Sequence, residues 1–309
     1  MADASTFAVN YRLAPQHPFP AAVEDALAAY IYLTEEEGIA PERIVLGGDS
    51  AGGGLSCALL LAIRDAGLTP PAGAFLLSPW VDLTHSLPSI IENLATDYLP
   101  SIGFKHLNSP ALDYTQLPRI RSEEKWEGEV EKDLDRIQFY CDNRILKHPL
   151  VSPVFDKKRL RGLPPLLVQA GTAERLRDES LYLALQASAR LEPGPGNNEG
   201  RATPVELELY VDQPHVFQIM LPTRCSVKAI ANMARFVKDH SVKGDALTVH
   251  TISPRGETDE TTKATVEPFL ESDIWKRWQQ RLERSSLKAR LDEVYAATRA
   301  EHAKVTPAR

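Results

Sequence analysis

Ser50 is the residue whose surroundings best fit a chemical role. It stands in Gly48-Asp49-Ser50-Ala51-Gly52, a G-x-S-x-G spacing. Residues 44–46 read as a buried strand running into the turn, and residues 51–63 as the apolar helix leaving it. This is the setting a nucleophile elbow needs. In such a turn the Ser50 hydroxyl is lifted above the sheet, and the Ala51 amide points at whatever the serine attacks. A Cβ at Gly48 or Gly52 is expected to collide with the facing element, so both glycines have a steric reason. A hydroxyl is a weak nucleophile until a base takes its proton, and the base must be held by a carboxylate.

The base and acid should follow the serine in the order serine, acid, histidine. Of eight histidines, His17 precedes Ser50, while His85, His106 and His148 lie in or beside an irregular middle segment. His240, His250 and His302 belong to the tail region. His215 alone follows the last predicted core strand, in Tyr210-Val-Asp-Gln-Pro-His-Val-Phe217, where a loop can swing over the strand ends. The acid is expected just after the preceding strand, in Gly171-Thr-Ala-Glu174-Arg-Leu-Arg-Asp178-Glu179. Glu174 is nearest the strand end. Asp178 is the alternative, although it and Glu179 suit the first turn of the next helix, where negative charge meets the helix dipole.

The elements that must position these residues alternate. Strands are expected at 6–11, 44–46, 74–80, 164–170 and 205–210, the last as an outer strand with one wet face because it alternates strictly. Helices are expected at 20–37, 51–63, 177–191 and 225–238. This alternation predicts an α/β fold with a mostly parallel sheet covered on both faces. Residues 82–147 are too long for an ordinary connection and read as an insertion above the sheet, helical from about 131 to 146. Residues 192–200 read as a surface loop. The predicted organisation is a core over 1–240 and, over 241–309, a polar linker followed by a helical extension. In that extension Ile274, Trp278 and Leu282 share one face, followed by Leu287, Leu291 and Tyr295. Residues 274–309 carry nine Lys or Arg against four Asp or Glu. Such a basic amphipathic stretch (267–304) could meet a membrane or a partner. The favoured expectation is that it packs its apolar stripe on its own domain.

A formal charge of −7 over 309 residues gives no basic field for nucleic acid. Cys57, Cys141 and Cys225 are too few and scattered for a disulfide framework or a metal site. No cofactor or metal is expected. The start, Met1-Ala-Asp-Ala-Ser, lacks the basic and apolar runs of a signal peptide. The longest apolar run, 57–63, is too short to cross a bilayer. A reducing, cytoplasmic setting is the expectation.

Six segments together give the chain a family likeness: Tyr11-Arg-Leu-Ala-Pro-Gln-His-Pro-Phe-Pro20 with Glu24-Asp25, Gly48-Asp-Ser-Ala-Gly-Gly53, Leu77-Ser-Pro-Trp80, Pro149-Leu-Val-Ser-Pro153, Gly171-Thr-Ala-Glu-Arg-Leu-Arg-Asp178 and Pro214-His-Val-Phe217. Over residues 6–240 the chain resembles the hormone-sensitive-lipase-like branch of the α/β-hydrolase fold. The resemblance implies a carboxylesterase acting on a small-molecule ester, with Ser50 as nucleophile, His215 as base then acid, and Glu174 where aspartate is usual. It makes the 82–147 insertion part of a lid. The chain departs from the family in having no His-Gly-Gly-Gly oxyanion segment. The resemblance therefore implies a chain truncated at its N-terminus or read from a misassigned frame, lacking the first strands. Either residues 6–11 move into the vacant strand position, or the edge of the nucleophile strand stays open. A catalytically silent hydrolase that binds a small molecule or a protein is the competing expectation.

Overall fold

The computed structural model describes residues 2–99, 121–126, 129–135, 138–191, 200–240, 242, 246–259 and 274–305. In chain order the elements are α1 (Ala21–Ile31), β1 (Val45–Asp49), α2 (Ala51–Asp65), β2 (Gly73–Leu77), α3 (Ser89–Glu92), β3 (Arg121–Trp126), β4 (Glu129–Asp135), β5 (Leu166–Gly171), α4 (Arg177–Ala187), β6 (Val205–Tyr210), α5 (Phe217–Met220), α6 (Arg224–Asp239), β7 (Leu247–Ile252), β8 (Thr258–Asp259), α7 (Ile274–Arg284) and α8 (Leu287–Val305). The main sheet runs β1-β2-β5-β6-β7-β8. Its pairings are parallel from β1 through β7, and β8 closes antiparallel on β7.

Successive side chains of a strand point to opposite faces, and β5 and β6 show what each face does. Leu166, Val168 and Ala170, with Val205, Leu207 and Leu209, join one apolar cluster with Cys57, Leu60 and Leu61 of α2 and Leu181 and Leu185 of α4. On the other face Gln169, Glu206 and Glu208 meet α6. Gln169 Nε2 donates to the Ala229 carbonyl, Asn232 to Glu208, and Arg235 to Glu206 at 2.6 Å. The alternation at 205–210 is therefore not a wet outer face. β6 is an interior strand, and its two glutamates are buried because α6 supplies their partners.

Three further expectations are corrected. Residues 6–11 form no strand, and β1 has no neighbour on its outer side among the described residues. Arg12 is clamped to Asp25 and Glu24 of α1, and the Phe7 ring lies 6.5 Å from Tyr32, so this segment follows α1 instead of reaching β1. The helix expected over 131–146 is replaced over its first part by β4, which pairs antiparallel with β3, Trp126 opposite Glu129. From Gln138 to Leu146 the described residues hold one helical turn, the short 3-10 turn Asn143–Ile145. The linker expected after 240 contains β7, whose β-branched residues pair along β6, so the sheet continues past 240. The 192–200 loop, apart from Gly200, and much of the insertion, with Phe104, His106 and Tyr114, lie outside the described residues.

The C-terminal helices pack on their own domain. Trp278 and Leu282 enter the main core, and Leu287 and Leu291 pack with Leu83, Leu146 and Val151. Val294 reaches Ile90 and Leu176. Between them Arg290 is 1% exposed. Its guanidinium donates to the hydroxyls of Thr84 and Ser86 at 2.5 and 2.6 Å and to the carbonyls of Arg281 and Leu282 at 2.7 and 2.8 Å. The side chain of Ile274 lies outside the described residues. No helix among the described residues is long and apolar enough to cross a membrane.

Candidate active site

β1 delivers Ser50 at its C-terminal end, and the strand-to-helix turn holds it at φ 51°, ψ −117°. Three backbone hydrogen bonds lock this turn: the Ser50 amide donates to the Leu77 carbonyl, and the amides of Gly54 and Trp80 donate to the Ser50 carbonyl. Ala51 opens α2, so its amide is one of those a helix leaves without an internal partner. The close approach predicted at Gly48 is present, since a Cβ there would lie 2.2 Å from the Gly52 carbonyl oxygen. At Gly52 it is absent, with nothing within 4 Å of a built Cβ. The steric demand falls instead on Gly53 and Gly54, which face the backbone of Pro79 and Trp80 at 2.9 and 2.1 Å.

The loop after β6 brings His215 over this turn, with Nε2 2.9 Å from Ser50 Oγ. The His215 side chain is 3% exposed. Behind it Glu174, from the loop after β5, places Oε2 3.8 Å from His215 Nδ1. That is ion-pair range but beyond hydrogen-bond length. Glu174 is fully buried and also accepts a 2.6 Å hydrogen bond from Ser78 Oγ. Burial pushes its carboxyl above the usual range, while His215 and Ser78 pull it back and Asp97 adds to the rise.

The alternative acid, Asp178, is occupied elsewhere. It accepts from the Ser89 amide at 2.9 Å and from Arg177 at 2.8 Å. Burial raises its carboxyl too, partly offset by Arg177. Glu179 accepts the amides of Val81 and Asp82, tying α4 to the chain after β2. Asp49 is exposed beside the turn. Among the described residues no group of three or more His, Cys, Asp or Glu is gathered as a metal site.

Two residues of the site escaped sequence reasoning. Ser78 donates to Glu174 and accepts the Val216 amide at 3.0 Å, so one hydroxyl touches both the acid and the histidine loop. Its available signal was position: a polar residue at the carboxyl end of the strand beside β1, where open α/β sheets gather ligands and catalytic groups. Asp97 accepts the His215 and Arg175 amides from within the insertion, and nothing in the sequence marks it. Backbone strain is present here as well. Ser50, Ser78 and Val216 all have left-handed φ, at 51°, 46° and 49°. For a β-branched residue such as Val216 this is a costly conformation, on the order of 1–3 kcal/mol, sustained only where surrounding structure imposes it.

A strained serine at a strand-to-helix turn, met from later loops by a histidine and a carboxylate, is the arrangement that serine hydrolases on open parallel sheets share. Residues 1–103 and 93–219 match the family described as alpha/beta hydrolase fold, and the chain belongs to that family. It is 38% identical over 216 residues to an acetyl-hydrolase of Streptomyces hygroscopicus, covering 70% of this chain and 58% of that protein. An esterase of Acinetobacter venetianus is 34% identical over 177 residues, 56% of this chain and 47% of the other. Among solved structures, EstE5 soaked with p-nitrophenyl butyrate aligns with a TM-score of 0.55 at 34% identity, over 74% of this chain and 64% of that one. An esterase of the bacterial hormone-sensitive lipase family aligns with the same score and identity over 75% and 64%. The resemblance to the hormone-sensitive-lipase-like branch thus holds, while the chain spans only about half to two thirds of the length of these relatives.

Proposed function

We propose that this chain is a serine carboxylic ester hydrolase cleaving short-to-medium acyl esters through an acyl-Ser50 intermediate. The observation that carries the reading is the 2.9 Å approach of His215 Nε2 to Ser50 Oγ with Glu174 buried behind the ring. With Nδ1 protonated towards Glu174, Nε2 takes the serine proton as Oγ attacks the ester carbonyl. The oxyanion so formed faces the Ala51 amide. His215 then gives its proton to the leaving alcohol, and a water deprotonated by the same ring releases the acyl group as the acid. Glu174 holds the imidazolium and supplies no proton. The relatives named as acetyl-hydrolase and esterase support the ester class. The three buried free thiols support a reducing setting, which we take to be the cytoplasm.

A second reading is favoured by one fact: the sequence contains no His-Gly-Gly-Gly segment, so Ala51 is the one oxyanion donor identified. Removing a single donor of this kind lowers turnover about 10²–10³-fold. On that reading the chain keeps the fold and binds a ligand without turning it over. Steady-state hydrolysis of p-nitrophenyl acetate, abolished by Ser50→Ala, supports the esterase. Absence of both turnover and a burst in the purified wild-type chain supports the silent binder.

A further inference from the structure

Glu174 and His215 stand on different loops, and their relative placement depends on how those loops are held. The turn that follows α3 supplies a hold from a third direction. Asn93 Nδ2 donates to the carbonyls of Thr172 and Glu174 at 3.2 and 2.7 Å, and Thr96 Oγ1 donates to that of Ala173 at 2.9 Å. Asp97 completes the set with both oxygens. Oδ2 accepts the Arg175 amide at 2.7 Å, while Oδ1 accepts the His215 amide at 3.2 Å and that of Tyr98 at 2.9 Å. Residues 172–175 are thus pinned by three side chains of one short turn, and Asp97 alone among the three also grips the histidine backbone. Tyr98, next in sequence, sets its ring 6.2 Å from the His215 ring.

We infer that Asp97 is a positioning residue for the reaction, one whose carboxylate sets the gap between Glu174 and His215 by binding the backbones of both loops. The inference rests on the esterase reading above. It follows from valence: two loops that must meet within a few tenths of an ångström are bonded to the two oxygens of one rigid, planar group. The negative charge also bears on Glu174, consistent with the upward push that Asp97 adds to burial there. An amide in its place keeps the shape and one acceptor oxygen. It turns an NH2 towards one of two backbone N–H donors, so one of the two loops must let go.

The test is Asp97→Asn in the full chain. Misplacing a catalytic group by about 1 Å can cost 10²-fold, so kcat for p-nitrophenyl acetate is expected to fall about 10- to 100-fold with KM within twofold. A general loosening of the fold would lower the rate equally in any background. Positioning through Glu174 predicts instead that Asp97→Asn costs nothing further once Glu174 is Gln. Equal losses in both backgrounds, or an unchanged kcat in an active wild type, overturn the inference and leave the esterase reading standing. If the wild type neither turns over ester nor labels at Ser50 with a fluorophosphonate, it is the esterase reading that fails. The geometric half is then decided by a crystal structure of the variant. A lengthened Nδ1–Oε2 separation supports the role of Asp97, and an unchanged one overturns it.

Discussion

The two glycines flanking Ser50 look alike in sequence and differ in structure, and this yields the sharpest test of the elbow. A methyl group at Gly48 would sit 2.2 Å from the Gly52 carbonyl oxygen, 2.3 Å from its carbon and 2.9 Å from the Gly53 nitrogen. All three are backbone atoms of α2, so no side chain can rotate away. Reaching a tolerable contact requires α2 to retreat from β1 by about 1 Å, against the backbone bonds that tie Ser50 to Leu77 and Trp80. Overpacking of this kind costs about 1–3 kcal/mol, and a rigid backbone puts Gly48→Ala at the upper end. A methyl at Gly52 meets nothing within 4 Å and sits in the first turn of a helix. There alanine improves on glycine by up to about 1 kcal/mol. The two variants should therefore shift in opposite directions and differ by about 3–4 kcal/mol. With a urea slope of about 3 kcal/mol/M, that is a gap of about 1 M between unfolding midpoints. Urea titration of both variants checks it, and fluorophosphonate labelling of Ser50 should survive Gly52→Ala but not Gly48→Ala. Equal midpoints, or a Gly52→Ala variant as unstable as its partner, would refute the account of which glycine the turn needs.

Four further outcomes follow from the buried charges. Arg290→Met removes the donor to two hydroxyls and two carbonyls in the interior, and should cost about 1–3 kcal/mol in urea unfolding, as leaving buried oxygens without a donor does. Glu174→Gln should lower kcat about 10³–10⁴-fold. Asp178→Asn should leave kcat within a few-fold while lowering stability by about 1–3 kcal/mol, because its carboxylate serves Ser89 and Arg177 instead of His215. Glu208, chiefly through burial, is pushed up to about 7 from 4.5. A carboxyl with a raised folded value binds its proton more tightly in the native state. It therefore costs nothing below about pH 4.5, and its penalty grows until the pH passes 7. Relative to wild type, Glu208→Gln should gain thermal stability as pH rises from 5 to 8, and a pH-independent difference in Tm would contradict this.

What the sequence disclosed and what it hid divide along physical lines. Strands β2, β5 and β6 and helices α2, α4 and α6 were legible because each buries a continuous apolar stripe, and that stripe is written locally. Residues 6–11 have equally strand-like chemistry but no strand beside them, and pairing is not a property of a segment. Glu206 and Glu208 suggested a wet face because their partners, Arg235 and Asn232, come from a helix 29 and 24 residues later. The Thr-rich tract around β7 looked like a linker for the same reason. At the candidate site, the meeting of Ser50, His215 and Glu174 was legible from spacing and strand order, which are one-dimensional facts. Asp97 acts through backbone amides far away in sequence, and no local pattern records that.

The place of Arg290 also bears on how the protein is made. Its guanidinium and the neighbouring Leu287 and Leu291 fill space beneath the turn at 84–86, among residues synthesised some two hundred positions earlier. While the ribosome is still translating β7, Thr84 and Ser86 lack this donor and the Leu83–Leu146–Val151 cluster lacks its cover. The layer beneath the acid loop can be sealed only once α8 emerges. A nascent chain stalled before that point would expose the apolar surface of Leu83, Leu146 and Val151, a form suited to capture by chaperones or proteases.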